Sequence, residues 1–221
     1  MNPTAPEWQK YIYLNGFAGR RPVVPVDFRK LEDAARSKLT PRAFAYIAGG
    51  AGAESTVEEN RKAFERYLIV PRMLRNVGER DMRIELFGRR LSSPFLLSPV
   101  GVLELAHAGA DRAVARAAAA LEVPFIFSNQ ASVPMEVCSK IMGDSPKWFQ
   151  LYWSKSNELV KSFVGRAAKC GCSAIVVTLD TTLLGWRTRD LDLAYLPFLE
   201  GRGIAQYTSD PVFQSMMDEE D

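Results

Sequence analysis

Within the apolar run Trp148-Phe-Gln-Leu-Tyr-Trp153, a glutamine and a tyrosine stand two positions apart, Gln150 and Tyr152. At the period of a β-strand both side chains share one face. A carboxamide in a buried strand must find partners or cost roughly 1–3 kcal/mol. A planar heterocycle with alternating donors and acceptors would satisfy it. Three further apolar runs end in a hydroxyl: Pro94-Phe-Leu-Leu-Ser98, Pro124-Phe-Ile-Phe-Ser128 and Ala174-Ile-Val-Val-Thr178. Taken singly, a serine or threonine at a strand end also fits a turn or a helix cap. Four runs in register point instead to one shared site of Ser98, Ser128, Gln150, Tyr152 and Thr178. Arg187, just beyond the last run, fits either a solvated loop cation or a group at the same mouth. Together with Tyr46 it could bind a carboxylate through charge-assisted hydrogen bonds.

Other chemistries find little support. The single histidine, His107, sits in Leu105-Ala-His-Ala108 with no obvious acid or nucleophile beside it, which suits a structural role. No Ser-His-Asp arrangement, zinc motif or Walker loop is present, and no metal is expected. Tyr46-Ile-Ala-Gly-Gly-Ala-Gly52 is glycine-rich but follows a helix pattern, so a dinucleotide-binding reading fails on context. The net charge of +2, with both signs interspersed, argues against nucleic acid or an anionic membrane as partner. No stretch approaches the roughly 20 apolar residues of a membrane span, and the N-terminus lacks a secretory pattern. Cys138, Cys170 and Cys172 have no histidine partner and read as plain thiols of a reducing compartment, hence a cytoplasmic location.

The elements that must position these residues follow a βα rhythm. The four runs begin at positions 94, 124, 148 and 174, with helical segments at Asp111 to Leu121, Pro134 to Met142 and one capped by Ser156 and closed by Gly171. Parallel strands joined by helices deliver their last side chains to one face, and in a (β/α) barrel that face does the chemistry. Ahead of them, residues 1–26 read as irregular. Helices are expected after Asp27, after Thr40-Pro41 and after a capping box at Ser55-Thr-Val-Glu58, followed by a hairpin at Arg83 to Ser93. After Asp180 no period is sustained, so residues 181–214 read as a loop insert and Met216 to Asp221 as frayed. The expected fold is α/β, a TIM-type (β/α)8 barrel truncated to about four βα units, since a full barrel needs about 250 residues. The expected divisions are 1–93 (extension, helical cap and hairpin), 94–180 (first half of the barrel) and 181–221 (active-site insert and terminus).

Several of these segments, in order, resemble the FMN-dependent 2-hydroxy-acid oxidases and dehydrogenases. They are Tyr46-Ile-Ala-Gly-Gly-Ala, Glu59-Asn-Arg-Lys-Ala-Phe64, Pro71-Arg-Met-Leu74, Leu97-Ser-Pro-Val-Gly101, Phe149-Gln-Leu-Tyr152, Thr178-Leu-Asp-Thr181 and Leu184-Gly-Trp-Arg187. The resemblance spans roughly residues 27–215. It implies FMN as cofactor, with the backbone of Pro99, Val100 and Gly101 against the flavin ring and Ser128, Gln150 and Thr178 hydrogen-bonded to it. It implies that Tyr46, Tyr152 and Arg187 bind a small 2-hydroxy or 2-oxo acid, that molecular oxygen is the second substrate, and that the whole enzyme is a tetramer.

Two departures from the family pattern matter. Gln130, in Ser128-Asn-Gln-Ala, stands where glycolate oxidase-like members have tryptophan. The stretch from Trp186 to Phe213 is most similar to lactate 2-monooxygenase, in which a long loop closes the site and retained pyruvate is decarboxylated to acetate. Lactate oxidase releases pyruvate and peroxide instead. The expected reaction is therefore lactate plus O2 giving acetate, CO2 and water, with lactate oxidase or dehydrogenase activity as the rival. The family's catalytic histidine and phosphate-binding strands belong to later barrel units, and His107 does not match that base. A third expectation follows: a fragment that is inactive by itself.

Overall fold

Two early helix starts are set by short polar side chains. Asp27 accepts from the Arg29 amide and opens α2, Phe28–Arg36. Thr40 Oγ1 accepts from the Ala43 amide at 3.2 Å and opens α3, Pro41–Ala48, with Pro41 in the first turn where its missing N–H costs nothing. The structure is a computed structural model describing residues 5–218, and it divides into two compact units, one ending at Ala48 and one beginning at Gly49. In the first unit the expected irregular start is instead a helix, α1, Ala5–Phe17. Pro6 lies in its first turn and so does not oppose it; among the described residues before α2, the stretch from Gly19 to Val26 lacks regular structure as expected.

The second unit opens with α4, Ser55–Ala63. Its start differs from the expected capping box. The N-cap is Glu54, at φ 61°, and its carboxylate accepts from the Gly50 amide at 3.0 Å and pairs with Arg189. An ion pair has taken the place of a serine cap. The hairpin forms as expected, β1 Ile84–Leu86 antiparallel to β2 Arg89–Leu91. Phe87 and Gly88, both at positive φ, supply the two-residue turn whose twist matches the strands.

Next come α5 Ala110–Leu121, β3 Phe125–Phe127, α6 Met135–Met142, β4 Lys147–Tyr152, α7 Asn157–Lys169 and β5 Ile175–Thr178. The three strands form one parallel sheet in sequence order, with Phe127 opposite Phe149 and Phe149 opposite Ile175. The expected first strand, Pro94 to Ser98, is reduced to one parallel bridge from Leu97 to Phe125. Pro94 and Pro99, flanking the run, have no N–H to donate to a ladder. Odd positions of the sheet, Phe125, Phe127, Phe149 and Leu151, pack with Met135, Cys138, Leu159 and Phe163 into the main core. Even positions carry Ser128, Gln150 and Tyr152 on the opposite face.

Residues 181–218 are more ordered than their sequence suggests. They contain α8 Thr188–Asp192, α9 Ala205–Thr208 and α10 Pro211–Asp218, with Tyr195, Gln206 and Asp210 buried. These helices are too short for a periodic signal, and they hold by capping and tertiary bonds instead. Asp210 Oδ1 accepts from the amides of Val212 and Phe213, so α10 has its own cap. Helix persists through Met216 to Asp218; the rest of the expected frayed end lies outside the described residues.

Candidate active site

The ends of three adjacent parallel strands are joined side chain to side chain. Ser128 Oγ donates to Gln150 Oε1 at 3.1 Å, and Gln150 Nε2 donates to Thr178 Oγ1 at 2.9 Å. The Asn129 amide also donates to Gln150 Oε1, at 3.2 Å. Both lone pairs of that oxygen are thus engaged, and the buried amide is oriented. One N–H of Gln150 and the hydroxyl proton of Thr178 are left over. Both are donors, aimed from one sheet face, and they suit the carbonyl oxygens of a flat heterocycle.

Pro99, Val100 and Gly101 lie in the turn after Leu97. A Cβ on Gly101 would stand 3.1 Å from Gln130 Cβ and 3.8 Å from Ser128 Oγ, so this turn runs against the end of β3. Val102, at φ 53°, then donates its amide to the Gln130 carbonyl at 2.9 Å. Gly203 approaches the same carbonyl: its own Cβ would lie 3.1 Å from it and 2.5 Å from Val102 Cγ2. The structure therefore brings Gly101, Ser128, Gln150 and Thr178 together.

The remaining expected site residues are placed differently. Tyr152 is half-buried at the end of β4, and its amide donates to Asn129 Oδ1 at 3.1 Å. Arg187 forms an ion pair with the buried Asp190 and lines a half-open, mostly apolar cavity of about 190 Å³ with Leu184, Tyr195 and Leu199. Its guanidinium therefore has a carboxylate of the chain's own. Tyr46 is on α3, in the first unit. Ser98 is exposed. His107 Nδ1 accepts from the Gly109 amide at 2.9 Å at the entry to α5, a turn-forming contact.

Sequence reasoning missed the residues behind the row. Asn129, fully buried, donates through Nδ2 to Tyr207 OH at 2.8 Å. Gln206, also fully buried, donates to the Ser128 carbonyl and accepts from the Met135 amide. Arg166 Nη1 reaches the Gln206 carbonyl at 2.7 Å and Asp210 Oδ2 at 3.0 Å, while its other nitrogens hold Glu136 and Ser209. Burial alone would raise the Glu136 carboxyl, but the Arg166 guanidinium outweighs it and holds that group below its usual range. Burial pushes the Tyr207 hydroxyl upward, so it stays protonated. The one available signal was Ser-Asn-Gln-Ala directly after a strand, three polar groups where a loop needs fewer.

A parallel α/β sheet with a hydrogen-bonded polar row across its strand ends has the arrangement of a ligand site at the carboxyl edge of a sheet. Residues 35–220 match the family model of FMN-dependent dehydrogenases. The chain is 40% identical over 209 residues to an FMN-dependent alpha-hydroxy acid dehydrogenase of Penicillium citrinum, covering 94% of this chain and 52% of that one. It is 39% identical to an L-lactate oxidase of Lysinibacillus sphaericus, covering 87% of this chain and 50% of the relative. A solved mandelate oxidase with (S)-2-phenylpropionate superposes with a TM-score of 0.77 at 36% identity, covering 85% of this chain and 55% of that chain. The chain belongs to the FMN-dependent dehydrogenase family. It spans about half the length of the curated relatives it matches.

Proposed function

We propose that this chain supplies the flavin-facing strand ends of a (β/α) barrel that oxidises a small L-2-hydroxy acid, with lactate 2-monooxygenase activity as the specific reaction. The carrying observation is the hydrogen-bonded row Ser128–Gln150–Thr178 across adjacent strands. Its two leftover donors fit the acceptor-rich edge of an isoalloxazine. The absence of a Cβ at Gly101 lets the Pro99–Gly101 backbone lie against the end of β3, beside that row. FMN, when bound, supplies the two-electron oxidation of the substrate carbon.

The chain's own residues bind and orient. Ser128, Gln150 and Thr178 would hold the ring edge and the backbone of Pro99 to Gly101 its face. Arg187 and Tyr152 would take the substrate carboxylate, Arg187 by exchanging its bond to Asp190 for one to the ligand. For Tyr46 the support is sequence resemblance alone. None of the row's hydroxyls or amides is a base near neutral pH, so these groups orient the ring and do not take the substrate's proton.

The monooxygenase reading draws support from the folded state of residues 203–218, which are bonded to the strand ends and suit a covered site that retains its first product. A lactate oxidase is the rival, favoured by the L-lactate oxidase and 4-hydroxymandelate oxidase names among the relatives. The thiols of Cys138, Cys170 and Cys172, all free, favour a cytoplasmic location, and a tetramer is the family-based expectation. Giving an FMN-loaded complete barrel enzyme that contains this chain labelled L-lactate and oxygen tests the choice. Acetate and CO2 without free peroxide is the expected result; pyruvate with equimolar peroxide would assign it as an oxidase, and no bleaching of the flavin by any 2-hydroxy acid would remove the reading altogether.

A further inference from the structure

We propose that Tyr207 and Asn129 are positioning residues that fix the orientation of the Gln150 carboxamide. The inference deepens the reading of Gln150 as a flavin-edge ligand and rests on it. Gln150 Oε1 takes both of its donors, Ser128 Oγ and the Asn129 amide, from the end of β3. The place of that end is decided from outside the strand. Asn129 is fully buried and both halves of its side chain are engaged: Nδ2 donates to Tyr207 OH, and Oδ1 accepts from the Tyr152 amide. Asn129 thereby ties β3 to the end of β4 and ties both to α9. The neighbouring Ser128 carbonyl is held by Gln206 Nε2, one residue before Tyr207.

An amide in this setting cannot turn over freely. Reversing Gln150 would set its NH2 against the Asn129 N–H, donor facing donor. While Asn129 stays in place, the spare N–H of Gln150 stays aimed at the ligand side. The ring of Tyr207 has a separate task. It stacks edge-on against Phe163 and Phe213, at centroid distances of 5.2 and 5.5 Å, and phenylalanine would preserve that packing. The hydroxyl can therefore be removed while the core is kept.

The test is Tyr207→Phe in the complete chain, read first without cofactor. The side-chain NH2 pair of Gln150 is followed by 15N NMR, assigned by its loss in Gln150→Leu, and FMN binding is then measured by flavin fluorescence. Tyr207→Phe is expected to shift the Gln150 NH2 pair and speed its solvent exchange, with the fold retained and the thermal midpoint lowered only modestly by the stranded Asn129 N–H. The FMN dissociation constant is expected to rise about tenfold. Asn129→Ala removes the donor to Tyr207 and the acceptor for Tyr152 together, so it breaks the same link from the other side and should reproduce the shift. Thr208→Ala, next door and exposed, should leave it unchanged. An unmoved Gln150 pair in both Tyr207→Phe and Asn129→Ala would overturn the proposal. A shifted pair in a protein whose wild type ignores FMN would support the positioning link while overturning the flavin reading it was built on.

Discussion

Gln150 Nε2 and Thr178 Oγ1 meet at 2.9 Å across neighbouring parallel strands, although their backbones are not direct partners: Gln150 pairs with Val176, and Thr178 with Tyr152. The contact is diagonal and uses the length of the glutamine. An asparagine would fall short. Gln150→Ala leaves Ser128 Oγ and the Asn129 amide without their acceptor in a buried place. We expect a loss of about 1–3 kcal/mol in unfolding free energy, seen as a lower denaturant midpoint, and loss of FMN binding in the same titration. Normal flavin affinity in Gln150→Ala would remove the row from the site.

The Arg166–Asp210 pair should carry much of the stability of the C-terminal segment. Asp210 is fully buried and the Arg166 side chain is only 11% exposed. Removing one partner of such a pair strands the other, at about 3–5 kcal/mol. Arg166→Ala should lower the melting temperature strongly and expose α9 and α10 to limited proteolysis before the sheet. A melting curve unchanged from wild type would show that the pair contributes nothing net.

Gly203 should resist any side chain. Its φ is +67°, and a Cβ there would press on Val102 Cγ2 at 2.5 Å and on the Gln130 carbonyl at 3.1 Å. Gly203→Ala therefore meets both strain and overlap, expected to cost roughly 1–3 kcal/mol. Chemical denaturation measures it, and a neutral result would mean that the Val102 turn yields easily.

Asp111 should give the protein an acid-side stability gradient. Burial pushes its carboxyl from an ordinary 3.8 up to about 6, against the opposing pull of the Ser132 and Val133 amides, with Glu104 adding to the rise. Between those two values the folded state holds a proton that the unfolded state has released. Its contribution is therefore fully present below pH 4 and is lost as pH rises to 6, by an amount on the order of 3 kcal/mol. Asp111→Asn should flatten that part of the stability profile. An equally steep profile in the variant would assign the slope to other groups.

The parts of the fold written in local chemistry were legible in the sequence. Asp27, Thr40 and Ser156 each cap the helix expected of them, with the Ser156 hydroxyl accepting from the Leu159 amide. Gln150 announced itself as an amide in an apolar strand. Residues whose role depends on a distant partner did not. Glu54 displaced the Ser55 capping box because Arg189, far along the chain, supplied a stronger bond. Gln206 and Asp210 looked like loop polarity until their partners on β3 and α7 were placed. Pro6 misled in the other direction, since a proline breaks a helix in its middle and is welcome at its start.

Asp210 has one more consequence, because it serves two masters. One carboxylate oxygen starts α10 and the other grips Arg166 and Ser162. The start of the last helix and the hold on Arg166 thus depend on the same carboxylate. The tail of this chain behaves as a keystone: whatever loosens it also lets the ligand-facing amides wander.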